Sequence, residues 1–420
     1  MELKGKRLLI LGASGLLCNA VETAKKMGIY TIVTDYNPGA PAKKLADKSF
    51  DVSTTDIDAL ERIAHENNVD GVFTGFSDVN LHSARELCDR LNLPFYATKE
   101  QIGITTHKLK FKELCRKYQV PTVKQFDLDS SWREEHLKKI EYPVMVKPAD
   151  SYASKGCSVC TNETELREAV ERALTFSKSK QVIVEKYMDS THCDDIGISY
   201  LFVDGIAYLI YVGDRYTNHE QEGFAPLTAA VIAPSKYIDE YIRDVDKYAK
   251  DMFDAIGIRN GRVSIQAFHD EQGFCFYEMG FRLTGGRQYL VTREEFDVDD
   301  VVALIQFALT GMIQLGDLSR CEPRCSNYYC DLLAICSQGT ISRIEGIEQA
   351  RTDPRVLDVA QLLNVGSVVA ADGTQNQVLA RICIKEASEE TLMEAITEIG
   401  RKIVAYDEHG APMMLKTFGC

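Results

Sequence analysis

Two periods alternate along the N-terminal part of the chain. Short continuous apolar runs at residues 7–11, 30–34 and 71–74 read as strands buried on both faces. Between them, residues 18–27, 56–67 and 80–91 carry apolar side chains three and four apart, the spacing of one helix face. Strand–helix alternation of this kind predicts a parallel sheet covered on both sides, an α/β unit over residues 1–105. From residue 106 the pattern changes. A Lys-rich helix over 106–118 is followed by strands at 143–147 and 181–186, with a small-residue loop at 150–158 and a helix at 163–177 between them. Residues 196–281 alternate as several strands, with turns at Asp204-Gly205 and Glu271-Gln272-Gly273 and one helix over 237–256. Beyond Leu315, short strands, turns at Gln338-Gly339 and Ala371-Asp372-Gly373, and a helix over 389–403 form a third region. The expected organisation is therefore an α/β unit over 1–105, an α+β unit over 106–315 with a small subdomain at about 115–188 and a larger one at about 189–315, and an α+β unit over 316–420.

Composition narrows the function classes. The 420 residues carry 48 Lys plus Arg against 62 Asp plus Glu, a net charge of −14. That balance argues against a nucleic-acid binder, which needs a basic face, but leaves room for a nucleotide pocket with a few local cations. No stretch approaches the roughly 20 apolar residues of a membrane helix, and the opening Met1–Arg7 segment lacks the pattern of a secretory leader. A cytoplasmic protein with reduced thiols is expected, and its 13 cysteines, Cys157 and Cys160 included, read as small buried hydrophobes. Their spacing does not match paired zinc ligands.

Four segments carry chemistry. Gly12-x-x-Gly15 after a strand, with Asp35 closing the next strand, fits either a dinucleotide turn or a tight strand-to-helix connection. Lys147 ends the apolar strand Val144-Met145-Val146 and precedes the loop Ser151-Tyr152-Ala153-Ser154-Lys155-Gly156. A lysine at a buried strand end needs an anion, and a loop of small residues can fold over phosphates. Gln181–Met188 ends an apolar strand in Glu185, Lys186, Tyr187 and Met188, the composition of a hinge that could hold a flat base. Gln266 and Glu278 lie on two adjacent strands as oxygen donors suited to Mg²⁺, with Arg282 just beyond.

In this order the segments resemble the ATP-grasp superfamily over about residues 5–400, closest to carbamoyl-phosphate synthase large-chain domains, biotin carboxylases and L-amino-acid ligases. The resemblance implies an ATP-grasp fold, α/β and α+β in class, with an N-terminal Rossmann-like pre-ATP-grasp domain and a small C-terminal α+β domain. It implies ATP and Mg²⁺ (or Mn²⁺) as cofactors. ATP-binding positions would be Lys108, Lys147, Ser154, Lys155, Gly156, Glu185, Lys186, Tyr187, Met188 and Asp195, and metal positions Gln266 and Glu278. Lys147 and Arg282 would act in catalysis, and Arg215 and Arg287 would line the substrate pocket. Gly280 stands where the family carries an asparagine that ligates a second metal. The implied activity is carboxylate–amine ligation through an acyl phosphate, with small-molecule acid and amine as partners, no nucleic acid or membrane, and a homodimer as the expected assembly. The alternatives are a carboxylase or carbamoyl-phosphate synthase-like enzyme, a non-catalytic ATP-binding protein, and, from the N-terminal unit alone, a nicotinamide oxidoreductase.

Overall fold

A computed structural model describes residues 2–128, 132–151, 155–189, 192–221 and 226–419. The apolar runs of the N-terminal unit become β1 (Arg7–Leu11), β2 (Tyr30–Thr34), β3 (Lys48–Phe50) and β4 (Gly71–Phe73), all parallel in the order β3-β2-β1-β4. Helices α1 (Cys18–Lys26), α2 (Ile57–Glu66) and α3 (Asp78–Leu91) cover them. Leu9, Leu11, Ile32 and Val72 face α2 and α3, while Leu8, Ile10 and Val33 face α1. Burial on both faces is why these strands read as unbroken apolar runs. Asp56 caps α2 by accepting from the Ala59 N–H at 3.0 Å. The Gly12 turn is held by Asp35, whose carboxylate accepts from the N–H groups of Ala13 and Asn37, both at 2.9 Å. That carboxylate is spent on the turn, so the tight-connection reading of Gly12-x-x-Gly15 prevails.

Helices α4 (Lys99–Thr105) and α5 (Lys108–Lys117) lead into a small antiparallel sheet of β5 (Gln125–Phe126), β6 (Val144–Pro148), β7 (Ser158–Cys160) and β8 (Val182–Lys186), ordered β5-β8-β6-β7. Helices α6 (Glu134–Leu137) and α7 (Glu163–Phe176) accompany it, and Val144, Val146, Leu166, Val170 and Val184 form its own small core. The sheet joins the rest of the molecule at Pro121–Val123. There the Phe276 N–H donates to the Pro121 carbonyl at 2.8 Å, and Thr122 bridges Phe276.

The largest sheet contains β9 (Asp194–Val203), β10 (Ile206–Asn218), β11 (Leu227–Ala233), β12 (Gly261–Asp270) and β13 (Gly273–Gly280). The predicted helix over 237–256 is broken at Val245 into α8 (Ile238–Asp244) and α9 (Asp246–Ala255). Helices α10 (Tyr289–Phe296) and α11 (Asp300–Thr310) follow β13. α11 is nearly all apolar and so lacks the one-sided pattern that marks a surface helix; it packs between β4 and β12. The third region adds β14 (Tyr328–Ile335), β15 (Gly339–Thr340), β16 (Arg343–Glu345), α12 (Ile347–Thr352), β17 (Val356–Gln361), β18 (Val368–Val369), β19 (Val378–Glu386), α13 (Glu389–Lys402) and β20 (Val404–Tyr406). Its long strands extend the central sheet, whose order is β13-β12-β9-β10-β11-β14-β19-β17, through the β11–β14 pairing of Ala230 with Leu332. Hydrogen bonding therefore runs continuously across residue 315. No helix among the described residues is long and apolar enough to cross a membrane.

Candidate active site

The roof of the site is the small sheet. In β6 the inward positions Val144, Val146 and Pro148 alternate with Met145 and Lys147, so Lys147 leaves the sheet on the face opposite the small core. Register then decides its partner. Met145 lies opposite Glu185 on β8, one step from Lys147, and the Lys147 ammonium ion-pairs with that carboxylate. From the other side comes Lys112 of α5, whose Nζ sits 2.5 Å from a Glu185 oxygen and 2.9 Å from the Val123 carbonyl. Burial alone would push the Glu185 carboxyl up, but Lys147 and Lys112 outweigh it and hold it below its ordinary range. Burial pushes Lys112 down, whereas Lys147 ends up raised, because Glu185 and the more distant Glu278 outweigh its burial. Two ammonium groups thus share one carboxylate, leaving a surplus positive charge. Lys147 carries it outward: its side chain keeps 14% exposure against 1% for Lys112.

Lys108 lies one helical turn before Lys112, on the same face of α5. Its backbone N–H donates to the Ala149 carbonyl at 2.9 Å and its Nζ to the Ser151 carbonyl at 2.6 Å, at the start of the loop. Burial raises the Cys157 thiol at the other end of that loop, opposed by Lys147 and Lys108 and reinforced by Glu278 and Glu185. The two predicted lysines and the predicted metal carboxylate therefore act on one common thiol. Gly156 has φ +78°, and a Cβ there would lie 2.8 Å from Phe176 and 2.9 Å from Pro148, so the loop's exit from β6 to β7 requires glycine. Ser154 lies outside the described residues.

The floor is built by β13, β12, β9 and β10. Gln266 pairs with Glu278, but Ala267 pairs with Phe276, so Tyr277 is the extra residue of a β-bulge. The bulge turns Tyr277 and Glu278 toward the same side as Gln266. The Tyr277 hydroxyl lies 2.7 Å from Gln266 Oε1 and 3.1 Å from Asp195 Oδ1, and its ring lies under the Lys147 ammonium at 5.3 Å. Arg215 Nη1 reaches Gln266 Oε1 at 3.1 Å, Tyr277 Oη at 2.9 Å and Asp195 Oδ2 at 3.0 Å, while Nη2 donates to Thr228 at 2.9 Å. Burial pushes the Asp195 carboxyl up in spite of Arg215. Half-buried Glu278 has no hydrogen bond or ion pair among the described residues. Lys147, Arg215 and Arg282 nonetheless all feel its charge. Arg282 is clamped by Asp78 at the start of α3, with Nε and Nη2 each 2.6 Å from a carboxylate oxygen.

These contacts connect Lys108, Lys147 and Glu185 of the roof, through the Tyr277 ring under Lys147, with Asp195, Arg215 and Gln266 of the floor, and the charge of Glu278 reaches Lys147, Arg215 and Arg282. Lys186 ends β8 and Tyr187 and Met188 follow it out of the roof, Lys186 exposed and the other two half-buried. Lys155 lies on the loop beside Ser151, whose hydroxyl donates to the Lys155 carbonyl at 3.0 Å. Arg287 does not join them, which corrects its assignment to the substrate pocket. Its guanidinium is 2% exposed and is enclosed by Asp358, Asp331 and the Arg381 carbonyl, bracing α10 against β14, β17 and β19. Three contributors escaped sequence reasoning. Lys112 was signalled only by its four-residue spacing from Lys108. Tyr277 depends on a bulge, and Asp78 on a contact 204 residues away along the chain.

A divalent ion finds one ready donor here. The Glu278 carboxylate is open, whereas the Gln266 oxygen already accepts from Tyr277 and Arg215. No group of three or more His, Cys, Asp or Glu among the described residues is arranged to hold a metal. One carboxylate completed by phosphate oxygens and water is an ordinary Mg²⁺ environment, so the fit is to a nucleotide-borne ion.

Comparisons with known proteins bear on the fold. Residues 107–310 match the family described as carbamoyl-phosphate synthase L chain, ATP binding domain, and residues 6–105 the ribonucleotide synthetase preATP-grasp domain. The formate-dependent phosphoribosylglycinamide formyltransferase of Sulfurisphaera tokodaii is 30% identical over 187 residues, 44% of this chain and 47% of that protein. The carbamoyl phosphate synthase large chain of Clostridium beijerinckii is 27% identical over 278 residues, 65% of this chain and 25% of that protein. The chain thus matches about half the length of the first of these curated relatives, and a quarter of the second. Among solved structures, the L-amino acid ligase of Bacillus licheniformis superposes with a TM-score of 0.78 at 19% identity, over 96% of this chain and 99% of that one. The biotin carboxylase domain of Hydrogenobacter thermophilus 2-oxoglutarate carboxylase, solved with MgADP and bicarbonate, gives 0.79 at 19% identity, over 97% of this chain and 91% of that one. The fold is the ATP-grasp fold with a pre-ATP-grasp domain in front.

Proposed function

We propose, from the premise that this chain belongs to the ATP-grasp superfamily, that it is an ATP-dependent, ADP-forming carboxylate–amine ligase. The observation that carries the reading is the charge arrangement: an unpaired carboxylate, Glu278, whose charge acts on Lys147, Arg215 and Arg282, with Lys147 already sharing Glu185 with Lys112. In this reading the triphosphate lies between Lys147, Lys108, Ser151 and Gly156 above and Glu278 below, with the base against the 185–188 hinge. Phosphoryl transfer needs mainly positioning and charge neutralisation, which fixed cations in a water-poor cleft supply. Magnesium bound at Glu278 would neutralise charge developing on the phosphates. A carboxylate oxygen of the acid attacks the γ-phosphorus and ADP leaves. An amine nitrogen then attacks the acyl carbonyl and loses a proton, and phosphate departs with one oxygen of the original carboxylate. Arg282, held by Asp78, faces the acyl end of this path. The small sheet, attached through Pro121–Val123, acts as the lid that keeps water from the acyl phosphate.

The same proposal takes the units 1–105, 106–315 and 316–420 as functional domains, small-molecule acids and amines as substrates, the cytoplasm as the compartment and a homodimer as the assembly. Incubation with ATP, Mg²⁺ and pools of ¹⁸O-carboxylates and amines tests it. The expected result is ADP release that requires both acid and amine, with ¹⁸O in the released phosphate. Release that requires bicarbonate and no organic acid would move the chain to the carboxylase or carbamoyl-phosphate class. Nucleotide binding with no turnover across the pools would make it an ATP sensor.

A further inference from the structure

The two oxygen donors on the floor are not equivalent. Glu278 is open, but the single oxygen of Gln266 is engaged by two donors, Tyr277 Oη at 2.7 Å and Arg215 Nη1 at 3.1 Å. A carbonyl oxygen offers two lone pairs, so these two donors, which Asp195 also attracts, compete with a metal for them. Arg215 is not a loose neighbour. It starts on β10 and must cross β9 to reach Gln266 on β12. Its side chain passes over Gly197 on β9, which lies opposite Gln266. At the far side Asp195, Tyr277 and Thr228 fix the guanidinium with charge-assisted and neutral bonds, and its side chain keeps 19% exposure. The third donor of a two-ion arrangement is missing too, since Gly280 has no side chain oxygen. Arginine cannot shed its charge to make way for a metal.

We infer that this site takes one divalent cation per nucleotide, on Glu278, and that Arg215 permanently occupies the position of the second. Arg215 is thus a built-in cation that holds Gln266 out of the metal's shell. The inference rests on the ATP-binding reading above and deepens it by fixing the metal stoichiometry.

Manganese binding tests it without reference to turnover. The full chain is titrated with Mn²⁺ and a non-hydrolysable ATP analogue, bound nucleotide is measured by equilibrium dialysis, and retained Mn²⁺ by electron paramagnetic resonance. The wild type is expected to retain one Mn²⁺ per bound analogue, and Arg215→Lys also one. The double variant Arg215→Met with Gly280→Asn, which frees Gln266 and restores the missing donor, is expected to retain two. Two Mn²⁺ per analogue on the wild type would overturn the inference while leaving the ATP reading intact. Absence of analogue binding by the wild type would overturn both. Because the wild-type ratio is itself decisive, the result does not depend on the double variant folding.

Discussion

Two of the most deeply buried carboxylates among the described residues, Glu185 and Asp300, differ in their surroundings in one respect. Glu185 in the small sheet meets two lysines, Lys112 and Lys147. Asp300 at the start of α11 meets one arginine, Arg262 of β12, whose Nη2 also donates to Ser199 at 2.9 Å. The first cluster carries a surplus positive charge and the second is neutral. A neutral buried pair balances itself and asks nothing of a ligand, so the Arg262–Asp300 contact is a strut between α11 and the central sheet. A surplus charge held in a dry place is costly unless another anion completes it. Glu278 is the further anion whose charge reaches Lys147, and under the proposed function a phosphate would be another. Charge count, more than burial, separates the cluster proposed to bind nucleotide from the one that braces α11.

The contrast can be broken first at the strut. Arg262→Met leaves the Asp300 carboxylate enclosed without its cation, and removal of one partner of a buried pair costs roughly 3–5 kcal/mol. Adding Asp300→Leu should restore most of that loss, as an apolar replacement of the whole pair is often neutral. Urea unfolding of the three proteins measures both steps. A single variant as stable as the wild type would mean that the pair holds nothing together. At the lid cluster the expectation reverses. In Lys147→Met, Glu185 keeps Lys112, so the fold should hold, but kcat/KM should fall by roughly 10²–10³-fold, the usual loss for one preorganised charge-stabilising group. If that variant instead unfolded as readily as Arg262→Met while its folded fraction kept full activity, Lys147 would belong with the struts.

The same contrast explains what could be read from the sequence. The parallel sheet was legible because its strands are apolar on both faces and its helices on one, and each pattern has its own period. The order of the motifs singled out Lys147, Glu185, Gln266 and Glu278, and the structure pairs Lys147 with Glu185 and sets Gln266 opposite Glu278. Long-range pairing was not. Nothing local says that Lys112 turns inward to Glu185 while the equally basic Lys110 does not, or that Asp78 clamps Arg282. The bulge at Tyr277 adds one residue to a ladder and leaves no trace in composition. α11 was missed because a helix buried all round has no polar face to set its phase, and Arg287 was misassigned because a buried arginine bracing strands looks, in sequence, like one awaiting a substrate.

The smallest and most discriminating effect is electrostatic. Burial pushes the Asp300 carboxyl up from 3.8 to about 6 against the pull of Arg262, whereas the two lysines hold Glu185 down. Between those values for Asp300 the folded chain binds a proton that the unfolded chain has released. Its contribution is therefore best at the acid end and is lost as pH rises through that window, by up to about 3 kcal/mol at roughly 1.4 kcal/mol per unit. For Glu185 the sign is opposite: the unfolded chain takes up the proton first, so its contribution is present at neutral pH and lost as pH falls through the depressed folded value. Unfolding free energies from about pH 4 to 7 should therefore show the wild-type advantage over Asp300→Asn shrinking with pH and the advantage over Glu185→Gln growing. Parallel slopes would show that the carboxylates respond alike and that the surplus lysine does not set Glu185 apart. Opposite slopes would tie the charge count of each cluster to a measured proton balance, independent of any substrate.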